Sequence, residues 1–215
     1  MERTVIRLPD TMTIGLMRFP LTQKSKLKQK QMKFTFSLLI LMAALMPAIM
    51  AQEKPATADE IMSSAISEAS EADKNILLMF HASWCGWCKK MDASIVDESC
   101  RDYFDNNFVV THMVVKESPD KKHLENPGAD EFLAKYHGDR SGIPFWLIFN
   151  GKGELIADSF IRADGVGPDQ PGSNIGCPAQ DEEVAIFIEK LKMAAPMTDS
   201  EAEKISARFK MNRSR

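Results

Sequence analysis

Apolar positions along this chain fall into two alternating patterns, one with helical spacing and one of short unbroken runs. Thr57-Ala58-Asp59-Glu60 matches a capping box, and Ile61, Met62, Ala65, Ile66 and Ala69 share one face after it. The run Ile76 to Phe80 is too brief for an independent helix and suits a strand buried on both faces. Beyond Cys88 the period changes, and Met91, Ile95 and Val96 recur at helical spacing among Lys89, Lys90 and Asp92. Ser99 to Asn106 reads as a short further helix with Tyr103 and Phe104 turned inward. Phe108 to Val115 follows as a strand, with valines around His112.

Lys116 to Pro127 is a charged, proline-punctuated connection, longer than a usual link. Ala129 to His137 predicts a helix with Phe132, Leu133 and Tyr136 on one side. Strand Phe145 to Phe149, turn Asn150-Gly151-Lys152-Gly153 and strand Glu154 to Phe160 form a hairpin of the Asn-Gly kind. Arg162 to Gln180 is too rich in Gly, Pro and Asp for a regular element. Val184, Phe187, Ile188 and Leu191 then mark a helix behind the acidic Asp181-Glu182-Glu183, stopped by Pro196. A second capping box, Thr198-Asp199-Ser200-Glu201, opens a short amphipathic tail helix over Ala202, Ile205 and Phe209. Met211 to Arg215 reads as its frayed basic end. Whether this tail packs on the domain or docks a partner stays open.

Charge changes the picture at the N terminus. Residues 1–33 hold eight basic and two acidic residues, and Phe34 to Ala51 has no charge. A basic stretch, an apolar core, a break at Pro47 and small Ala48 and Ala51 follow the order of a secretory signal, cut after Ala51. An uncleaved anchor is the competing reading, since 18 uncharged residues reach the lower limit for spanning a bilayer. Residues 1–31 also read as an upstream extension, because Met32-Lys33-Phe34 opens a signal of ordinary length. The expected division is therefore 1–51 extension and signal, 52–195 folded domain, and 196–215 tail. Removing the leader leaves 19 basic residues against 28 acidic ones. Such a surface argues against nucleic acid and anionic membrane as partners. Export to the periplasm or beyond places cysteines where disulfides persist.

The candidate chemistry is Trp84-Cys85-Gly86-Trp87-Cys88-Lys89-Lys90, set where a strand gives way to a helix. Cys85 at a helix N-terminus meets unpaired N–H groups and the positive end of the dipole, which favour a thiolate. Cys88, one turn further in and more shielded, is the natural resolving thiol. Half of a zinc site competes, but no second Cys-x-x-Cys or His pair is present. An inert disulfide and a merely packed pair also compete. His81, four residues before Cys85, either tunes the thiolate or is simply packed or solvated. Cys100 reads as a buried, inert thiol. Cys177 is a third reactive thiol, an inert loop cysteine or a partner of Cys100. No phosphate-binding glycine loop, hydrolase triad or repeat is present.

The stretch resembles the thioredoxin superfamily, and Trp84 to Met91 is similar to the branch with a Trp-Cys-Gly-Trp-Cys-Lys-Lys-Met motif. The likeness runs from about Asn75 to Leu191 and includes Gly142-Ile143-Pro144. It implies an α/β fold with a central mixed β-sheet flanked by helices. It also implies catalysis by Cys85 and Cys88, supported by Trp84, Gly86, Trp87 and Lys89. A cis Pro144 would lie beside the pair, and Ile143 would offer backbone hydrogen bonds to an extended substrate. From the residues alone, a trans proline opening a strand stays open. The chain departs from thioredoxins at Met79, where they carry a buried Asp, and at Gly86-Trp87, where they carry Gly-Pro.

The expected protein is an exported, monomeric thiol-disulfide oxidoreductase. It would act on protein thiols and disulfides with a redox partner protein and need no metal or organic cofactor. The alternative is a thioredoxin-fold binding or chaperone module without redox turnover.

Overall fold

The computed structural model describes residues 54–213 apart from Pro168. The expected leader over residues 1–51 lies outside them, as do Ser214 and Arg215. Helix α1, Ala58–Ala72, begins as its capping box requires: Thr57 Oγ1 accepts the Glu60 N–H, and Glu60 Oε2 accepts the Thr57 N–H at 2.7 Å. It ends at Asp73, whose φ of 55° reverses the chain into strand β1, Asn75–His81.

Alternation along β1 organises the two layers. Leu77 and Met79 point to one face of the sheet, and Ile76, Leu78 and Phe80 to the other. Strand β2, Phe108–Val114, pairs parallel to β1; β3, Phe145–Phe149, pairs antiparallel on its other side; β4, Leu155–Asp158, closes the order β2-β1-β3-β4. The central strand is thus covered on both faces and both edges. One face carries α2, Gly86–Ile95; α3, Arg101–Asn107; α5, Asp181–Ala194; and α6, Asp199–Lys210. The opposite face carries α1 and α4, Ala129–Lys135. This is the mixed sheet flanked by helices that the sequence implied.

Several boundaries differ from expectation. Val96 is 62 % exposed because α2 ends at Ile95 and Val96 only caps it. The charged connection contains a 3-10 turn, Pro119–Leu124. The Asn-Gly turn places its positive φ at Gly153, not at Asn150 or Gly151, and Asn150 Oδ1 accepts the Lys152 and Glu154 N–H groups. It is a longer loop with a bulge at Ile148/Phe149, not a two-residue turn.

The expected strand Glu154 to Phe160 is also broken. At Asp158 the carboxylate accepts the Phe160 N–H and the Arg162 guanidinium, and β5, Phe160–Ile161, turns away to pair with β6, Ser173–Asn174.

The tail packs against the core. Ile205 and Phe209 are fully buried, with the Phe209 ring 5.0 Å from Phe187 and 6.4 Å from Phe104. Nor is Met211–Arg213 frayed: it forms a 3-10 turn with Asn212 5 % exposed. Asn212 donates to Ser94 and Cys177, and its carbonyl accepts Lys90 Nζ at 2.8 Å. A basic tail that reaches buried polar partners becomes ordered by them. Replacing Phe209 by Ala should cost about 3–5 kcal/mol of stability, as for other buried aromatics. A urea midpoint unchanged by that substitution would mean that the tail helix contributes little to the core.

Candidate redox site

β1 delivers the chain to the site, and Ala82 to Trp84 turn it into α2. The Cys85 N–H donates to the Ala82 carbonyl at 3.0 Å, and Cys85 becomes the N-cap of α2 with extended φ and ψ. Its Sγ accepts the Cys88 N–H at 3.1 Å, so the sulfur occupies the place that a Ser or Asp oxygen takes in an ordinary cap. Cys85 and Cys88 are joined in a disulfide, S–S 1.99 Å with Cα atoms 5.3 Å apart. The two sulfurs therefore meet within bonding distance.

Around the pair, Ala82 and Ile143 complete a small apolar cluster. The Ile143-Pro144 bond is cis, and the Ile143 carbonyl oxygen lies 3.6 Å from Cys85 Sγ. The expected difference in exposure between the cysteines is not found. Cys85 is 2 % exposed and Cys88 3 %, because in this oxidised form the same apolar cluster covers both.

Trp84 and Trp87 flank the pair at 57 % and 48 % exposure. Trp84 is held by its Nε1 donating to the Lys116 carbonyl, 2.9 Å. The loop before it is held by buried Glu117, which accepts both the N–H and the hydroxyl of Ser83. Lys90 Nζ sits 4.4 Å from the Trp87 ring centroid, a cation-π contact. Lys89, the cation expected to support the site, is exposed, and only a backbone bond to Cys85 ties it there. Gly86 opens α2 with open space where a side chain would lie.

Sequence reasoning missed three contributors. Glu117 lay in what read as a charged connection, and Asn212 in what read as a frayed end. Asn174 belongs to the irregular segment 162–180, where only the short spacing to Gly176 hinted at a turn. Its side chain donates to the carbonyls of Gly142 and Pro144 at 2.8 and 3.1 Å and accepts the Gly176 N–H at 3.0 Å. A groove of about 330 Å³ runs here between Trp87, Ile143 and Pro144 on one side and Asn174 to Cys177 on the other.

Cys100 and Cys177 are both free and buried, which removes the idea that they pair. Burial pushes both thiols up, Cys177 to about 12. That is opposite to what a reactive thiol needs, although Cys177 does line the groove. Met79 is buried on the α2 side of the sheet, so no carboxylate occupies the position where thioredoxins carry one. Ionisable groups near the end of β1 include His81, His112 and Asp92. The two rings lie 5.0 Å apart, and His112 Nε2 is 2.9 Å from Asp92 Oδ1. Among the described residues no cluster suited to holding a metal ion is found.

A family model described as thioredoxin-like matches residues 58–151, spanning the Cys-x-x-Cys and the cis proline. Residues 58–151 belong to the thioredoxin superfamily. The thioredoxin-like chain is similar to several solved structures. A disulphide isomerase from Xylella fastidiosa Temecula1 shares 24 % identity over 50 % of this chain and 77 % of its own, with a TM-score of 0.39. The C-terminal domain of Neisseria meningitidis DsbD in its oxidised form shares 17 % over 66 % and 98 %, TM-score 0.39. A thioredoxin from Thermus thermophilus shares 18 % over 60 % and 80 %, TM-score 0.37. The matched model stops short of Asn174, Cys177 and the last two helices of the thioredoxin-like chain.

Two measurements check the electrostatics. Burial, and then the neighbouring His112, hold the His81 ring below the ordinary imidazole range, against the opposing pull of Asp92 and Glu117. The unfolded chain therefore takes up that proton first as pH falls through about 6.5, so His81 lowers stability below that pH and has no effect well above it. His81→Asn should lose less stability than the wild type between about pH 7 and pH 5, read from urea midpoints. Equal losses would mean that the ring is not kept neutral. Cys177 should resist alkylation by iodoacetamide in the native protein at about pH 8 and react once unfolded, since so little of it is thiolate. Native labelling at the rate of a free thiol would contradict its burial.

Proposed function

We propose that this protein is an exported thiol-disulfide oxidoreductase acting on polypeptide substrates. One observation carries the reading: the two cysteines share a disulfide at the N-terminus of α2, with the Cys88 N–H aimed at Cys85 Sγ. In the reduced protein the same N–H and the positive end of the helix favour negative charge on Cys85.

The Cys85 thiolate attacks one sulfur of a substrate disulfide. A mixed disulfide forms, and the other substrate sulfur leaves as a thiolate that takes up a proton. Cys88 then loses its proton and attacks Cys85 Sγ, giving the Cys85–Cys88 disulfide and releasing the second substrate thiol. Two electrons pass from protein to substrate, and an external dithiol, the redox partner, restores the starting pair. The reverse sequence oxidises a substrate dithiol with the same residues, and stopping and restarting at the mixed disulfide isomerises one.

Trp84 and Trp87 form the rim, Gly86 leaves room beside the sulfur, and Ile143 with Pro144 presents backbone to the substrate. Lys89 adds positive charge near the helix start. No metal or organic cofactor enters this chemistry. Export is supported by the basic-then-apolar order of residues 1–51, followed by a working domain over 52–195 and a tail over 196–215. Among the described residues no helix is long and apolar enough to cross a membrane. The protein is expected to work as a monomer.

Replacing Cys88 by Ala removes the resolving thiol. Incubated with a disulfide-containing polypeptide, that variant should accumulate a covalent complex through Cys85, visible on a non-reducing gel and abolished by dithiothreitol. Capture that survives dithiothreitol, or that Cys85→Ala supports equally well, would point instead to a binding or chaperone module.

A further inference from the structure

The groove beside the disulfide is built so that one backbone position is open and its neighbours are closed. Gly142, Ile143 and Pro144 precede β3 and line the groove, Gly142 exposed, Ile143 half-buried and Pro144 buried. Asn174 Nδ2 donates to the carbonyls of Gly142 and Pro144 at 2.8 and 3.1 Å. Pro144 has no N–H to offer. Between them, Ile143 makes no backbone–backbone hydrogen bond among the described residues, and its carbonyl lies 3.6 Å from Cys85 Sγ, which in the disulfide has no proton to donate.

Asn174 is itself held from two sides. Its Oδ1 accepts the Gly176 N–H at 3.0 Å, and the Gly176 carbonyl accepts Trp146 Nε1 at 2.9 Å. Trp146 is fully buried in β3, so the amide that closes the two carbonyls is anchored to the central sheet. In addition, the Asn174 backbone is a sheet partner of Phe160.

From this we infer that Asn174 is a positioning residue that sets the register of an extended substrate. By occupying the carbonyls on either side, it leaves the N–H and C=O of Ile143 as the pair to which an incoming strand bonds. An antiparallel chain exchanges both backbone bonds with a single opposing residue. That residue is then fixed relative to Cys85, because the Ile143 oxygen is beside the sulfur. The substrate class is a disulfide carried on an extended polypeptide, as opposed to a small free disulfide, which has no backbone to register. This inference rests on the oxidoreductase reading above.

The test compares a synthetic extended peptide disulfide with hydroxyethyl disulfide, both reduced by the protein with dithiothreitol as the electron source. Asn174→Ala should lower the ratio of kcat/KM on the peptide to kcat/KM on the small disulfide about tenfold, the scale of one or two misplaced hydrogen bonds. Asn174→Asp keeps an acceptor for the Gly176 N–H but not the two donors, and should lower the ratio as Ala does. A ratio unchanged in Asn174→Ala overturns the inference, whether both rates hold or both fall together as misfolding would make them. So does an Asp variant that behaves like the wild type.

A peptide series N-methylated at one amide at a time reads the register directly. The wild type should be sensitive at one amide, and Asn174→Ala at several; wild-type sensitivity spread over several amides overturns the inference. Wild-type inactivity on both disulfides is a different result, which removes the oxidoreductase reading and this inference with it.

Discussion

The structure turns on a single hydrogen bond, from the Cys88 N–H to Cys85 Sγ, because it makes a cysteine sulfur serve as a helix cap. A helix start has several N–H groups without partners, and an oxygen side chain usually accepts one of them. Sulfur is a weaker acceptor when neutral and a much better one when charged, so the cap itself favours ionisation. For this to operate, the helix must begin at Cys85 and nowhere else. That constraint reaches back to β1: its Leu77 and Met79 are locked against α2 and its Ile76, Leu78 and Phe80 against α1 and α4. A one-residue slip of a strand buried on both faces would exchange the two sets, so the position of the sulfur is inherited from the core.

Rigidity beneath the pair contrasts with the way its rim is made. Trp84 and Trp87 are about half exposed, yet each is tied at one point, Trp84 to the Lys116 carbonyl and Trp87 to Lys90. Lys90 in turn donates to Asn212 in the C-terminal turn. The tail is thereby coupled to the redox helix as well as to the core. Asn212 meets Ser94 on one side and Cys177 on the other, joining α2 to the loop that floors the groove.

What could be read from the sequence follows the range of the interactions. The Cys-x-x-Cys, its strand and its helix are set by neighbours within a few residues, and capping boxes at Thr57 and Thr198 are equally local. The parts that escaped depend on contacts between distant segments. Strand β5 leaves the sheet because Asp158 is engaged by Arg162 and Lys190, the latter from α5. Asn212 is buried because Ser94, 118 residues earlier, faces it. Asn174 reaches Gly142 and Pro144 from 32 and 30 residues further along the chain, past β3, β4 and β5. Of the two adjacent lysines, Lys90 is the one that reaches the Trp87 ring. Periodicity places a residue on a helical face, but which of two adjacent cations finds a partner is decided by what packs opposite.

The same distinction separates chemistry from recognition. Thiol exchange needs two sulfurs at one helix start, and residues 85–88 supply both within a single turn. Recognition of an extended chain needs a backbone edge whose hydrogen-bonding groups are free, and a free edge within a folded core is costly unless something satisfies its neighbours. Here the satisfying group is a side-chain amide from a segment outside the matched thioredoxin-like region. Because an amide has two donors and one acceptor, it can close two carbonyls while being held by a third contact. A carboxylate or hydroxyl of similar size lacks that combination. The docking geometry inferred above therefore depends on Asn174, whose amide engages the carbonyls on both sides of Ile143.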